Sequence, residues 1–173
     1  MDFSISEIQP SERPALANLM KMYCYEWSQY NGFDVDDAGV YPFERQYGAC
    51  FTQPNRWNYL LRADGRLAGF ALIDDDFALP EPADFSMGEF FVMHKYRRGG
   101  AGRFMATRLF DLHPGRWQVG FHPANLPSVA FLTRVIADYT GNRCVLHERC
   151  PGLTYRDGTL GNVITFAGAA VIQ

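Results

Sequence analysis

The chain has 173 residues, 47% apolar and 15% aromatic, with a formal charge of −3 at pH 7 and a pI near 5.8. That size and composition suit one packed domain over residues 1–173 and exclude a disordered chain. The acidic balance argues against nucleic acid as a partner, and no run approaches the ~20 apolar residues of a membrane-spanning helix or forms a basic, apolar leader.

Residues 3–8 alternate apolar and polar side chains, which predicts a half-buried strand ended by Pro10. Ser11 is placed to cap a helix, with Pro14 near its first turn and Leu16, Leu19, Met20, Tyr23, Trp27 and Tyr30 along one face. Asn31-Gly32 ends it. Residues 33–40 read as an acidic loop with Asp34, Asp36 and Asp37, and 42–50 as a short helix beginning at Pro42.

Two strands follow over 57–63 and 66–74, and Asp64-Gly65 between them is a hairpin signal because the tight turn needs positive φ. Residues 79–84 are Pro-rich and irregular. A strand over 89–92 leads to a helix opened by Gly99-Gly100-Ala101-Gly102 and stopped by Pro114-Gly115. A strand over 117–121, a helix begun by Asn125 or Ser128 and ended by Gly141, and strands over 144–149 and 163–166 complete the order. Early hairpin pairing and a later crossover helix predict an α/β (α+β) fold, a mixed, mostly antiparallel sheet of six to seven strands with about four helices.

Cys24, Cys50, Cys144 and Cys150 have no framework spacing, so reduced thiols in the cytoplasm are expected. Cys144, His147 and Cys150 recur at intervals of three, but a strand sends such donors to both faces, and no metal site is expected.

The run that carries chemistry is 92–103, a strand end, a glycine turn and a helix start. Glycines there admit close approach of a ligand, and the first helical amides point outward with the positive end of the helix dipole. Such a terminus suits pyrophosphate, and Arg97, Arg98 and Arg103 add charge beside it. No Gly-Lys-Ser/Thr follows, as a Walker loop requires, and the glycine order differs from a dinucleotide loop.

Arg97-Arg98-Gly99-Gly100-Ala101-Gly102 fills every defined position of R/Q-x-x-G-x-G/A, with Val92 five residues before the first arginine. The chain thereby resembles the GNAT superfamily of N-acetyltransferases. Asn125 and Ser128 match its next block, whereas Leu132 stands where Tyr is common. Gly115-Arg116-Trp117 and residues 135–141 are similar to one bacterial branch. The resemblance implies acetyl-CoA as co-substrate and no metal. It implies that the amides of Gly99, Gly100, Ala101 and Gly102 hold the CoA pyrophosphate, with Arg97, Arg98, Arg103, Asn125 and Ser128 alongside. It places the pantetheine arm on Phe90, Phe91 and Val92, and dimers are frequent in that family.

For the reaction, Glu89 is the candidate base, since it lies on the strand that lines the acyl site beside two phenylalanines that desolvate it. The Val92 amide is the candidate oxyanion donor. Leu132 has no proton to give, Tyr139 two turns on is a core position, and His94 lies at the turn. Tyr30, Asp34, Asp36 and His122 are candidate contacts for an amine acceptor. The expected function is acetyl transfer to a small-molecule or amino-acid-like amine. Transfer to a protein amine, or acyl-CoA binding without catalysis, are the alternatives.

Overall fold

The computed structural model describes residues 1–41 and 44–168. Its strands are β1 (Phe3–Glu7), β2 (Trp57–Ala63), β3 (Arg66–Asp74), β4 (Phe85–Val92), β5 (Arg116–Phe121), β6 (Cys144–Thr154) and β7 (Leu160–Ala167). Its helices are α1 (Arg13–Asn31), α2 (Glu44–Thr52), α3 (Ala101–Leu112) and α4 (Leu126–Thr140). The strands form one sheet in the order β1-β2-β3-β4-β5-β7-β6. All neighbours pair antiparallel except β4 and β5, which run parallel.

Local chemistry sets most boundaries. Asp64 and Gly65 both take positive φ, 48° and 73°, and turn β2 into β3. Gly32 and Gly141 end α1 and α4 in the left-handed region, which a residue without Cβ enters at little cost. At α1 the expected Ser11 cap is displaced. Residues 10–12 make a short 3₁₀ turn, and the Gln9 amide donates to Glu12 Oε2 at 3.1 Å. Pro42, the expected start of α2, lies outside the described residues.

β4 begins four residues before the strand expected over 89–92, and β6 runs five residues beyond its expected end. Both differences arise from tertiary pairing. Gly88 is an extra residue in β4, because Leu72 faces Glu89 while Ile73 faces Met87. Such a bulge breaks the alternation by which a strand is read. β6 is irregular past His147, with Cys150 and Thr154 as its remaining partners to β7.

Each face of the sheet carries its own core. Leu61, Ile73, Met105, Leu109, Phe110, Trp117, Val119, Ile136 and Ile164 pack between the sheet and α3 and α4. Leu16, Leu19, Met20, Cys24, Cys50, Leu60, Phe70, Leu72 and Phe91 pack beneath α1 and α2. Alternate residues of β2 and β3 serve opposite faces, as the pleat requires.

Phe110 is fully buried, with its ring 5.1 Å from that of Trp117 and 4.9 Å from that of Phe166. Phe110→Ala is expected to cost about 3–5 kcal/mol of stability in chemical denaturation.

Candidate active site

β4 and β5 are joined only at Phe85–Trp117 and Ser86–Gln118 and then diverge. Met93 N–H donates to the Ala68 carbonyl at 2.8 Å, which makes that pair hydrogen-bonded. Antiparallel ladders alternate, so the peptide groups of Phe90 and Val92 turn away from β3 and face the opening. The Val92 carbonyl there accepts from Arg97 Nε at 2.6 Å. The Val92 N–H lies on the same side of the strand.

Glu89 pairs beside Leu72 and shares its face, towards α1. The Tyr23 hydroxyl donates a short hydrogen bond to Glu89 Oε2. Glu89 keeps partial solvent contact, yet the protein around its carboxyl pushes its pKa up to about 7. Desolvation is the largest cause; the Tyr23 hydroxyl opposes it and the charge of Asp74 adds to it. Asp74, at the Gly88 bulge, is itself raised to about 6, chiefly by burial. A Cβ at position 88 would meet Asp74 Oδ2, so glycine there lets the Asp74 carboxylate lie against the strand.

Across the opening from Glu89, the end of β5 and the β6–β7 turn meet α1. The ring of Tyr155 stacks on Trp27 at 5.6 Å and lies 4.7 Å from His122. Tyr30 is 5.9 Å from both Trp27 and His122. His122 is buried; its Nδ1 accepts from the Ala124 amide at 3.1 Å, which leaves Nε2–H to donate to Asp157 at 3.3 Å. Burial, then the charge of Glu89, raises the Tyr155 phenol.

At the glycine turn, Gly100 caps α3 with φ 93° and no side chain caps the helix. The first helical bond is Phe104 N–H to the Gly100 carbonyl, so the amides of Ala101, Gly102 and Arg103 have no partner within the helix. Gly99 and Gly100 are exposed, whereas Ala101 is buried and Gly102 lets the Phe131 ring approach: a Cβ there would sit 3.1 Å from it.

The arginines divide. Arg97 turns back from the helix terminus to grip both Glu26 oxygens at 2.6–2.7 Å, and Arg103 pairs with Asp138 at 2.6 Å. Arg98, exposed with φ 62°, has no ion pair among the described residues. Asn125 Oδ1 accepts from the Ser128 amide at 3.2 Å, so both residues build the start of α4. Leu132 is buried in the core, and the Tyr139 hydroxyl bonds to Asp111. His94, at the turn, lies 3.2 Å from Glu26.

The model of the acetyltransferase (GNAT) family matches residues 18–136. The chain belongs to the GNAT acetyltransferase family. Its fold is similar to a GNAT-family acetyltransferase from Streptococcus agalactiae, with TM-score 0.70, 14% identity and 96% of each chain covered. It is similar to the PaiA N-acetyltransferase of Thermoplasma acidophilum, solved in complex with coenzyme A, with TM-score 0.65, 8% identity, and 96% of this chain and 99% of that one covered. It is also similar to the spermidine N-acetyltransferase of Vibrio cholerae, solved with CoA and spermine, at TM-score 0.61 and 11% identity over 96% of this chain and 95% of that one. No curated protein matches the chain.

The sequence of this GNAT chain marks Tyr23 on the aromatic face of α1 but not as a partner of Glu89, and it does not single out Asp74 or Tyr155. Tyr23 belongs to the apolar stripe of α1, and nothing in its spacing reveals a carboxylate above the hydroxyl. Tyr155 precedes Asp157-Gly158, a turn signal that marks a place in the chain but not what the turn packs against. In the acidic loop Asp36 Oδ1 accepts from the Ala38 and Val40 amides, while Asp34 and Asp37 are exposed.

The Glu89 shift has a stability consequence with a definite sign. The folded state holds this proton up to about pH 7, above the ordinary carboxyl value of 4.5. Between those values the folded state binds more protons, so this residue's contribution to stability falls as pH rises. Glu89→Gln removes that dependence. Its Tm relative to wild type should rise between pH 5 and pH 8 in matched thermal melts. The helix cap gives a second expectation: Asn125→Ala should cost about 1 kcal/mol in denaturation.

Proposed function

We propose that this protein transfers the acetyl group of acetyl-CoA to a primary amine of a small molecule, with Glu89 as the base. The observation that carries the reading is a half-buried carboxyl with a pKa near 7, hydrogen-bonded to Tyr23 beside the β4–β5 opening. A base tuned near working pH combines the right protonation state with adequate driving force.

The residues present fit the co-substrate. Exposed glycines and three helical amides without helical partners at α3 suit a pyrophosphate, and Arg98 adds charge there. The Phe90 and Val92 peptide groups suit an amide-containing arm entering the opening. Asn125 and Ser128 stand at the neighbouring start of α4. Two similar folds bind CoA, which supports the same assignment here.

Acetyl-CoA supplies an activated acetyl group. A protonated amine must shed two protons on becoming an amide; Glu89 takes one and the departing sulfur the other. The Val92 N–H is the donor for the carbonyl oxygen as negative charge grows on it. A small acceptor is favoured over a protein because the end of α1 and the β6–β7 turn close towards each other. Asn31 Oδ1 accepts from the Arg156 amide at 3.1 Å, beside the Trp27–Tyr155 stack. The spacing of the cysteines, which fits no disulfide framework, supports a cytoplasmic setting.

Acetyl-CoA at 100 times its Kd should stabilise the protein by about 2.7 kcal/mol, read as a thermal shift. Gly99→Glu should remove the shift, since the site accepts a side chain there without strain but would then carry a carboxylate. An unchanged shift would refute the loop assignment. In a thiol-release assay, Glu89→Gln should lower kcat by about 10²–10⁴-fold. In wild type, kcat/KM should fall below about pH 7 as the base is protonated. Tyr23→Phe removes a bond that favours the charged carboxylate, so the acid limb should move upward.

A further inference from the structure

The acceptor side of the opening is walled by rings and carboxylates. Tyr23, Trp27 and Tyr30 of α1 form one aromatic cluster on that side with His122 at the end of β5 and Tyr155 of the β6–β7 turn, and all but His122 keep partial exposure. Glu89 and Asp74 occupy the same sheet face. The charge that acts on Glu89 is that of Asp74, and the charge that acts on Tyr155 is that of Glu89, both carboxylates.

Two of the arginines nearby are committed to carboxylates. Arg56 holds Asp75 and Asp76 at 2.7 and 3.0 Å and Arg97 holds Glu26, while Arg156 is exposed with its guanidinium 5.6 Å from the centre of the Phe33 ring. Both ring nitrogens of His122 are already bonded, to Ala124 and Asp157. The groove of about 560 Å³ that contains Lys21 and Lys95 lies on the other flank of α1, against Met22, Tyr25 and Glu26.

We propose that the acceptor is a cationic amine with an aromatic or other apolar body and no carboxylate beside its amino group. This rests on the acetyl-transfer reading and narrows it to one class. Ring faces and carboxylates stabilise an ammonium group and its apolar body. An amino acid would bring a further anion beside Glu89 and Asp74, where water is partly excluded and like charges repel. Tyr155 and Tyr30 are then specificity-determining residues.

The test compares pairs that differ only in the carboxylate: tyramine against tyrosine, and pentylamine against norleucine. Each is titrated calorimetrically into protein saturated with CoA, and each is assayed for thiol release with acetyl-CoA. At least one amine should bind and react with kcat/KM at least about tenfold above its amino acid. Tyr155→Ala should raise KM for that amine more than it lowers kcat. Tyr30→Arg places a cation in the wall and should reduce the amine-to-amino-acid ratio severalfold, whereas a merely structural role would scale both substrates alike. Amino acids that bind as well as their amines, an unchanged ratio in Tyr30→Arg, or no binding of either amine would each overturn the proposal. Binding of amines without transfer would overturn the acetyl-transfer reading alone, because the titrations still decide the charge preference.

Discussion

Two adjacent parallel strands that stay together would satisfy each other's backbone and leave nothing to offer a ligand. Here β4 and β5 are joined at only two residue pairs, Phe85–Trp117 and Ser86–Gln118, before they separate. Beyond that point the Phe90 and Val92 peptide groups face the gap, and exposed backbone donors and acceptors need partners. Arg97 meets the Val92 carbonyl. The remaining groups are what the proposed chemistry uses, and the glycine turn into α3 continues the same unsatisfied edge with unpaired helical amides.

Specific contacts flank the point where the two strands part. On β4, the bulge at Gly88 lets Asp74 sit against the strand and re-aims Glu89 towards α1. On β5, the Gln118 side chain anchors residues 78–81 through four hydrogen bonds, and the Asp84 carboxylate grips Arg116. The large cores on either face then make the gap a property of the whole sheet rather than of one loop.

Placing Glu89 at this gap explains its chemistry. A carboxyl among Tyr23, Phe91 and the underside of α1 loses water that would stabilise its charge, and a second carboxylate nearby raises its pKa further. One hydroxyl from Tyr23 limits the shift to about 7. A cationic partner would instead have lowered the pKa; Arg97, the cation at the strand end, is committed to Glu26.

The linear sequence determined whatever depends on local backbone preference: the Asp64-Gly65 hairpin, the glycine ends of α1 and α4, and the strand–glycine–helix passage from Val92 to Arg103. It also carried the family motif and marked Glu89, because both are readable within a few residues. Tertiary structure alone decided the bulge at Gly88, the extension of β4 and β6, the Tyr23–Glu89 bond and the meeting of Tyr155 with Trp27 and His122. It likewise turned Arg97 towards Glu26 and spent Asp36 on its own turn. Those outcomes join residues up to 128 positions apart, as in Trp27 and Tyr155. A side chain's partner across such a distance is set by how the sheet and helices pack, and propensity and periodicity carry no record of it.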